Sequence, residues 1–398
     1  MKLERKLWLD YYAGTLLLMA LKPPTVLLGK LLRRNHSLGE CSTVTYLKMM
    51  GGGSLVIAYP SLLAVKSAPN VRRLQLLTTP AIRPFAEALG VFDEIIVIRD
   101  QSLRLVLTDS LKALGRLFRT DAIVDLEIFS RLTTIFALVC CTRNRVGFYT
   151  NASFWRRNIS THLLFCNVSN PIYDFYDQVA LLFGGSIPSV QDCRNLFRRN
   201  LGIPDRRGER GAPRRIGVSP GCSELSRERM LRTEDWAAVL RAKAARAPAV
   251  FEFLGGKGDR ETVREIVAAL GPEAETRSLA GELSLPDTVR RLAEMDELVC
   301  IDSALLHFGR LIGTPISAYF GPTDPRILLR PMEPGLDDLH YLRISCSPCV
   351  HLAARAPCHG DNLCMRHAAG SAPPGSSNPV WLAQYAVPAD GGQRKGCV

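Results

Sequence analysis

The sequence has no RNP motif, no zinc-finger spacing and no lysine-rich run with interleaved aromatics. Nucleic acid is therefore the weakest of its conceivable anionic partners. It also lacks an uninterrupted apolar run of the ~20 residues that a membrane-spanning helix needs. The run from Tyr11 to Leu21 is about half that length. No small-residue cleavage site follows it, which argues against a signal peptide. Charged residues make up 22% and hydrophobic residues 47%, values that exclude wholesale disorder and a coiled coil. What is present is length and positive charge. The 398 residues suggest two or more domains, and Lys+Arg 50 against Asp+Glu 38 leaves a net +12 that favours a phosphorylated small molecule or an acidic membrane surface. Twelve cysteines without a signal peptide point to a reducing compartment, with thiols free or bound to metal.

The first forty residues stand apart. Trp8, Leu9, Tyr11 and Tyr12 lead into Gly14–Leu21, then Lys22-Pro23-Pro24, then Thr25–Leu32 and Arg33-Arg34. Basic residues outnumber Glu4, Asp10 and Glu40, and aromatics lie at the edge. Residues 1–43 are expected to form amphipathic helices in the cytoplasmic membrane interface, broken at Pro23-Pro24. The alternative is an ordinary helical hairpin packed on the globular body.

From Val44 the chain alternates short apolar runs with amphipathic stretches. Leu55–Tyr59, Leu74–Thr78, Ile95–Ile98 and Ile123–Leu126 are predicted as buried parallel strands. A charged, Gly/Pro-bearing linker at 205–214 separates them from a second series at Arg215–Ser219, Val250–Leu254, Leu298–Ile301 and Ile316–Phe320. The expected architecture is α/β, with two doubly wound Rossmann-like domains at 44–204 and 215–345 and a ligand cleft at the strand C-terminal ends. A Cys-rich segment at 346–366 follows. Residues 367–398, rich in Ala, Pro, Gly and Ser, are expected to be disordered.

Three loops in the second half carry anion-binding chemistry. Ser219-Pro-Gly221-Cys-Ser223 and Gly255-Gly256-Lys-Gly-Asp259 each follow a strand and precede a helix, so their amides can meet a phosphate. The third runs Asp302-Ser303-Ala304-Leu-Leu-His307, then Gly313-Thr-Pro315 and Gly321-Pro-Thr323-Asp-Pro325. Asp302 and Ser303 stand where a strand hands over to a helix, and His307 follows by about one turn from Ala304. Read in isolation, simple N-caps and a satisfied core histidine are the favoured reading.

At these residues the sequence resembles glycosyltransferase family 9, the ADP-heptose–lipopolysaccharide heptosyltransferase family. The family signature D-[ST]-G-x-x-H, G-T-P and F-G-P-T-x-P appears as Asp302–His307, Gly313–Pro315 and Phe320–Pro325. The family's P-G is Pro220-Gly221, its K-x-W-P-x-E-x-W is Arg229–Trp236, and its N-terminal G-D-x5-P-x-L is Gly53–Leu62. The resemblance runs from about Val44 to Met365 and implies a GT-B fold, with the donor nucleotide-sugar (ADP-heptose or similar) held mainly by the C-terminal domain. It implies donor-binding roles for Gly221, Arg229, Asp302, Ser303, His307 and Thr323, to which the loop chemistry above adds Ser219, Gly255 and Gly256. It further implies an inverting transfer that needs no cofactor.

Three departures shape the expected chemistry. The family's catalytic Asp aligns with Ser54, whose hydroxyl is no base near neutral pH. Glu127, at the end of a predicted first-domain strand, is the best substitute, with a helix-start acid as the alternative. Arg229 stands for the family's phosphate-steadying lysine and Ala304 for a glycine. Cys346, Cys349, Cys358 and Cys364 are candidate ligands of a structural zinc, with His351 and His359 as alternatives. Cys140, Cys141 and the other cysteines are expected to be buried apolar residues.

The expected function is sugar transfer from a nucleotide-sugar to a lipopolysaccharide-like or other glycan acceptor. The expected location is the inner face of the cytoplasmic membrane, as a peripheral protein. A non-catalytic nucleotide-sugar or glycan-binding protein is the alternative that Ser54 motivates. A GT-B-like sugar-nucleotide epimerase is a third, disfavoured by the Asp302 motif.

Overall fold

The computed structural model describes residues 3–377, apart from 205–212, 224–225, 332–334, 351, 353–355, 359 and 374. The linker expected at 205–214 therefore lies almost wholly outside the described residues, as do 378–398 of the expected tail. The chain divides into two compact units, Met1–Cys193 and Arg194–Val398.

Each unit is built on a six-stranded parallel sheet. In the first, β1 (Thr43–Lys48), β2 (Arg73–Thr78), β3 (Glu94–Val97), β4 (Ala122–Asp125), β5 (Asn144–Tyr149) and β6 (His162–Phe165) take the order β3-β2-β1-β4-β5-β6. In the second, β7 (Arg214–Ser219), β8 (Ala249–Phe253), β9 (Thr276–Ser278), β10 (Glu297–Ile301), β11 (Ile316–Phe320) and β12 (Asp337–Tyr341) take the order β12-β11-β10-β7-β8-β9. Parallel strands covered by helices on both faces read as continuous apolar runs, and β4, β10 and β11 are buried at every position. In both sheets the winding reverses between two central strands, β1 and β4 or β7 and β10. Those reversals are the switch points at which such folds bind ligands.

The strand expected at Leu55–Tyr59 is helical. Gly51, at φ +73°, turns the chain out of β1, and helices Gly52–Ile57 and Tyr59–Lys66 follow. Leu55, Tyr59 and Leu62 are enclosed at i, i+4 and i+7, a helical period. Pro60 lies at the start of the second helix, where its missing N–H costs nothing. A Cβ on Gly52 would stand 2.4 Å from the Phe85 ring, so only glycine fits there.

Pro23-Pro24 does not break the N-terminal segment, which is one helix, Leu3–Leu32. The two prolines leave the Met19 and Ala20 carbonyls without their intrahelical donors, and the Thr25 hydroxyl adds a bond to the Leu21 carbonyl at 2.7 Å. Continuity through the prolines makes Glu4–Leu32 long and apolar enough to cross a membrane by length and composition, with a mean hydropathy of 1.4 over an 18-residue stretch within it. One side of it is docked on the first unit. Asp10 accepts from the Ser130 hydroxyl at 2.6 Å and from the Arg131 and Leu132 amides at 3.0 Å each, so it caps the helix Arg131–Val139 from outside. Leu18 packs on Ile135 and Ile159.

The division between units falls inside the helix Val190–Asn200, ahead of the boundary at 204 expected from composition. Cys193 is buried within the first unit. Phe197 stacks on Phe308 at 5.9 Å and Arg198 donates to the Ile312 carbonyl at 2.8 Å, which ties the helix's second half to the second unit. The Cys-rich segment belongs to that unit too, since Cys364 and Met365 join the core built on Trp236, Phe251 and Phe253. Cys141, expected to be buried, is exposed because it ends its helix in a left-handed conformation at φ +51°.

Candidate functional site

The switch point of the second unit gathers the sequence-predicted residues at the C-terminal ends of its strands. Ser219 closes β7, Asp302 and Ser303 follow β10, and Thr323 follows β11; all four are buried. Arg229 reaches in from the turn Arg227–Arg229. Its Nη1 meets Asp302 Oδ2 at 3.3 Å, its Nε donates to the Ser226 carbonyl at 3.1 Å, and its Nη2 donates to Ser223 Oγ at 3.3 Å. His307, one turn into the helix Ala304–Ile312, places Nε2 3.8 Å from Asp302 Oδ1. Burial pushes the His307 imidazole down to about 4, against an opposing pull from Asp302. The ring is therefore neutral at pH 7.

Ser303 stands at the N-cap position but its side chain caps nothing, which sets aside the simple-cap alternative. Its Oγ and Thr323 Oγ1 are buried without a hydrogen-bond partner among the described residues. Such hydroxyls cost free energy unless something polar meets them. Beside them, the amides that open the helix favour an anion.

The glycine loops are shaped by one acid, Asp259, to which the sequence alone assigns no role. A Cβ on Gly221 would stand 1.9 Å from Asp259 Oδ1, and one on Gly255 2.5 Å from Oδ2. Both glycines exist so that the Asp259 carboxylate can lie against the backbone. That carboxylate accepts from the Gly256 amide at 2.7 Å, so this amide serves the loop's own closure. Burial raises the Asp259 carboxyl above its ordinary range.

The first unit's switch point holds Ser54 and Glu127. Glu127 Oε1 accepts from Lys48 Nζ at 3.1 Å and from the Met49 and Met50 amides at 2.7 and 3.0 Å. It thereby pins the turn that leaves β1. The Ser54 hydroxyl donates to the Gly51 carbonyl at 2.5 Å and lies in hydrogen-bond contact with Tyr176, whose phenol burial pushes well up. Beneath them, Asp125 accepts from Arg156 at 3.0 Å, Thr133 at 2.9 Å, Thr134 at 3.1 Å and the Glu127 amide at 3.0 Å. Lys48 and Tyr176 were not identified from the sequence. Lys48 ends a strand whose threonines hid it, and Tyr176 arrives from a distant helix.

Known proteins resemble the second unit most directly. Residues 188–359 match glycosyltransferase family 9 (heptosyltransferase). The matched residues lie almost wholly in the second unit. Within the chain, 75 residues are 37% identical to lipopolysaccharide heptosyltransferase 2 of Escherichia coli K12. That alignment covers 18% of this chain and 22% of the relative, so the chain is matched over about a fifth of that protein's length. The fold extends further. The crystal structure of the family 9 glycosyl transferase from Veillonella parvula superposes with a TM-score of 0.59 at 18% identity, covering 77% of this chain and 87% of that one. The E. coli heptosyltransferase WaaC with ADP-2-deoxy-2-fluoro heptose gives 0.57 at 14% identity, covering 76% and 93%. The chain thus has the GT-B fold, and the Asp302–His307 motif lies within the residues that match family 9.

The cysteine segment packs on this same unit. Burial, then the neighbouring thiols, push Cys349 up to about 11 and Cys364 up to about 12. The four thiols thus share one neighbourhood. Among the described residues, however, no group of three or more ligand side chains is drawn together to hold a metal ion. His351 and His359 lie outside the described residues.

Proposed function

We propose that the protein is a glycosyltransferase that moves a heptose from a nucleotide-diphosphate sugar to a lipopolysaccharide-type glycan acceptor. One observation carries the reading: two buried, unpartnered hydroxyls, Ser303 and Thr323, beside the Arg229–Asp302 pair and a neutral His307 in the residues that match family 9. A sugar diphosphate offers the oxygens that such a set lacks. In the transfer, the acceptor oxygen bonds to the anomeric carbon as the bond to diphosphate breaks, with inversion. The acceptor proton passes to a base, while Arg229 and the amides opening the helix Ala304–Ile312 offset the charge on the departing diphosphate. Glu127 is the base in this reading. Its Oε1 is engaged by three donors, which leaves Oε2 to take the proton. No cofactor is assigned a step.

One observation favours a second reading, a binding-only protein: Ser54 is held by the Gly51 carbonyl at the position where family resemblance expects an acid. Calorimetry with an ADP-sugar, followed by acceptor turnover, separates the two. Binding with turnover supports transfer, binding without turnover supports the second reading, and no binding overturns both.

The proposed location is peripheral, on the cytoplasmic face of the inner membrane. It is supported by the N-terminal helix, which exposes Trp8, Leu16, Met19 and Leu31 alongside basic residues. A structural zinc at the four cysteines remains a separate proposal, supported by the shared neighbourhood of the thiols. Elemental analysis of protein purified without chelator tests it. One zinc per chain, lost in Cys346→Ser/Cys349→Ser, supports it; a zinc-free folded protein overturns it.

A further inference from the structure

We propose that the first unit makes a second membrane contact of its own, through the outer face of the helix Leu103–Leu117, which lies in the interface of an anionic bilayer. This rests on the membrane location proposed above, and the test separates the two. The helix crosses from β3 to β4, and its inner side, Ala113 and Leu117, shares a core with Ile96 and Ile123. The opposite side should be polar if it faces only water. Instead Leu103, Leu107 and Leu111 stand outward at i, i+4 and i+8, with Leu107 56% and Leu111 68% exposed. Phe118, also exposed, prolongs the stripe past the helix end. Three leucines in register on a solvent face are more than scattered exposure accounts for.

The charges beside the stripe choose the occupant. Arg104, Lys112 and Arg119 are exposed along it, and the Arg119 guanidinium lies 5.6 Å from the centre of the Phe118 ring. The helix has a single acid, Asp109, which is buried and held by Arg99 at 2.7 and 2.9 Å. The outward face is therefore apolar and basic with no exposed acid, the pattern of an interfacial helix on anionic lipid. The N-terminal helix is linked to the same part of the unit. Ala113 and Leu117 share their core with Ala137 and Cys140 at the helix Arg131–Val139, on which the N-terminal helix is docked. Lys6 pairs with Asp100, just ahead of the crossover helix. In this proposal both faces meet the bilayer, and two contacts hold orientation where one helix alone would leave the unit free to swing.

Co-sedimentation of the full chain with phosphatidylcholine vesicles, with and without phosphatidylglycerol, tests this. Leu107→Ser/Leu111→Ser should weaken binding about tenfold or more, since both side chains leave water only on the membrane. Arg104→Glu/Lys112→Glu should weaken it about tenfold, and only where phosphatidylglycerol is present. Trp8→Ser/Leu16→Ser, on the N-terminal helix, should also weaken it while the crossover stripe still binds. Unchanged thermal melting in all three pairs, whose side chains are exposed, makes folding loss no explanation. Binding of Leu107→Ser/Leu111→Ser at the wild-type level overturns the inference while leaving the N-terminal helix as the anchor. A wild-type chain that ignores both vesicle types overturns the membrane location and this inference together. Light scattering in which the leucine pair alone dissolves a dimer, with vesicle binding intact, assigns the face to a second copy and overturns the inference.

Discussion

The two switch points share a topology and differ in how their polar groups are spent. In the second unit, Ser303 and Thr323 keep buried hydroxyls open and the helix start offers amides. In the first, Glu127 Oε1 is engaged by three donors and Ser54 by the Gly51 carbonyl. The winding reversal places residues at a crevice, but side-chain partners decide whether the crevice is ready for a ligand or already satisfied. An open site gains on binding. A satisfied one must work through whatever atoms its own bonds leave over.

The sharpest way to break that contrast is Glu127→Gln. The amide keeps a carbonyl oxygen to hold the Met49 and Met50 amides, so the turn should survive while the proton acceptor is lost. Transfer is expected to fall about 10²–10⁴-fold with donor affinity unchanged, read by turnover and calorimetry in parallel. Wild-type turnover would reduce Glu127 to holding the turn. Its companion, Ser54→Asp, should leave turnover in the active parent unimpaired; a gain from an inert parent would instead mark the natural chain as binding-only.

In the second unit, Asp302→Ala and His307→Ala should each weaken donor binding by about ten- to hundredfold, the worth of a charged hydrogen bond. Unchanged calorimetric affinity in both would remove them from the site. Gly221→Ala should cost about 1–3 kcal/mol of stability by overpacking against Asp259, and Asp259→Ala in the same chain should restore part of it. Denaturant melts of the single and double variants read this coupling, and additive losses would show that the carboxylate is not the obstacle.

The smallest effect is on pH dependence. His307 titrates at about 4 when folded and near the ordinary 6.5 when unfolded, so the unfolded chain binds the extra proton between these values. Its contribution to stability is complete above about 6.5 and is lost as pH falls towards about 4. His307→Gln should flatten that part of the stability profile, measured by urea midpoints across the range.

The second site was legible because a doubly wound fold packs its chemistry into short strand-to-helix loops, so Asp302, Ser303 and His307 lie close in sequence as in space. The first was less so. Thr43–Lys48 mixes threonine and lysine into a buried strand and gave no apolar run, whereas Leu55–Tyr59 gave one and is a helix. Five apolar residues carry no period of their own. Only Gly51 before them and Pro60 after them marked the helices. Pro23-Pro24 misled in the opposite sense, since a helix docked along one side tolerates the loss of two backbone bonds.

What the sequence determined by itself was the parallel α/β alternation, the loops that open on strand ends, and the basic, apolar N-terminal segment. All of these are local in the chain. What only the tertiary structure decided are the contacts that span it: Lys48 on Glu127 across 79 positions, Asp10 capping a helix that begins 121 positions later, Arg229 on Asp302 across 73. Each depends on strand order and on which helix face is turned inward. Burial of the whole apolar surface sets those together, and no single segment encodes them.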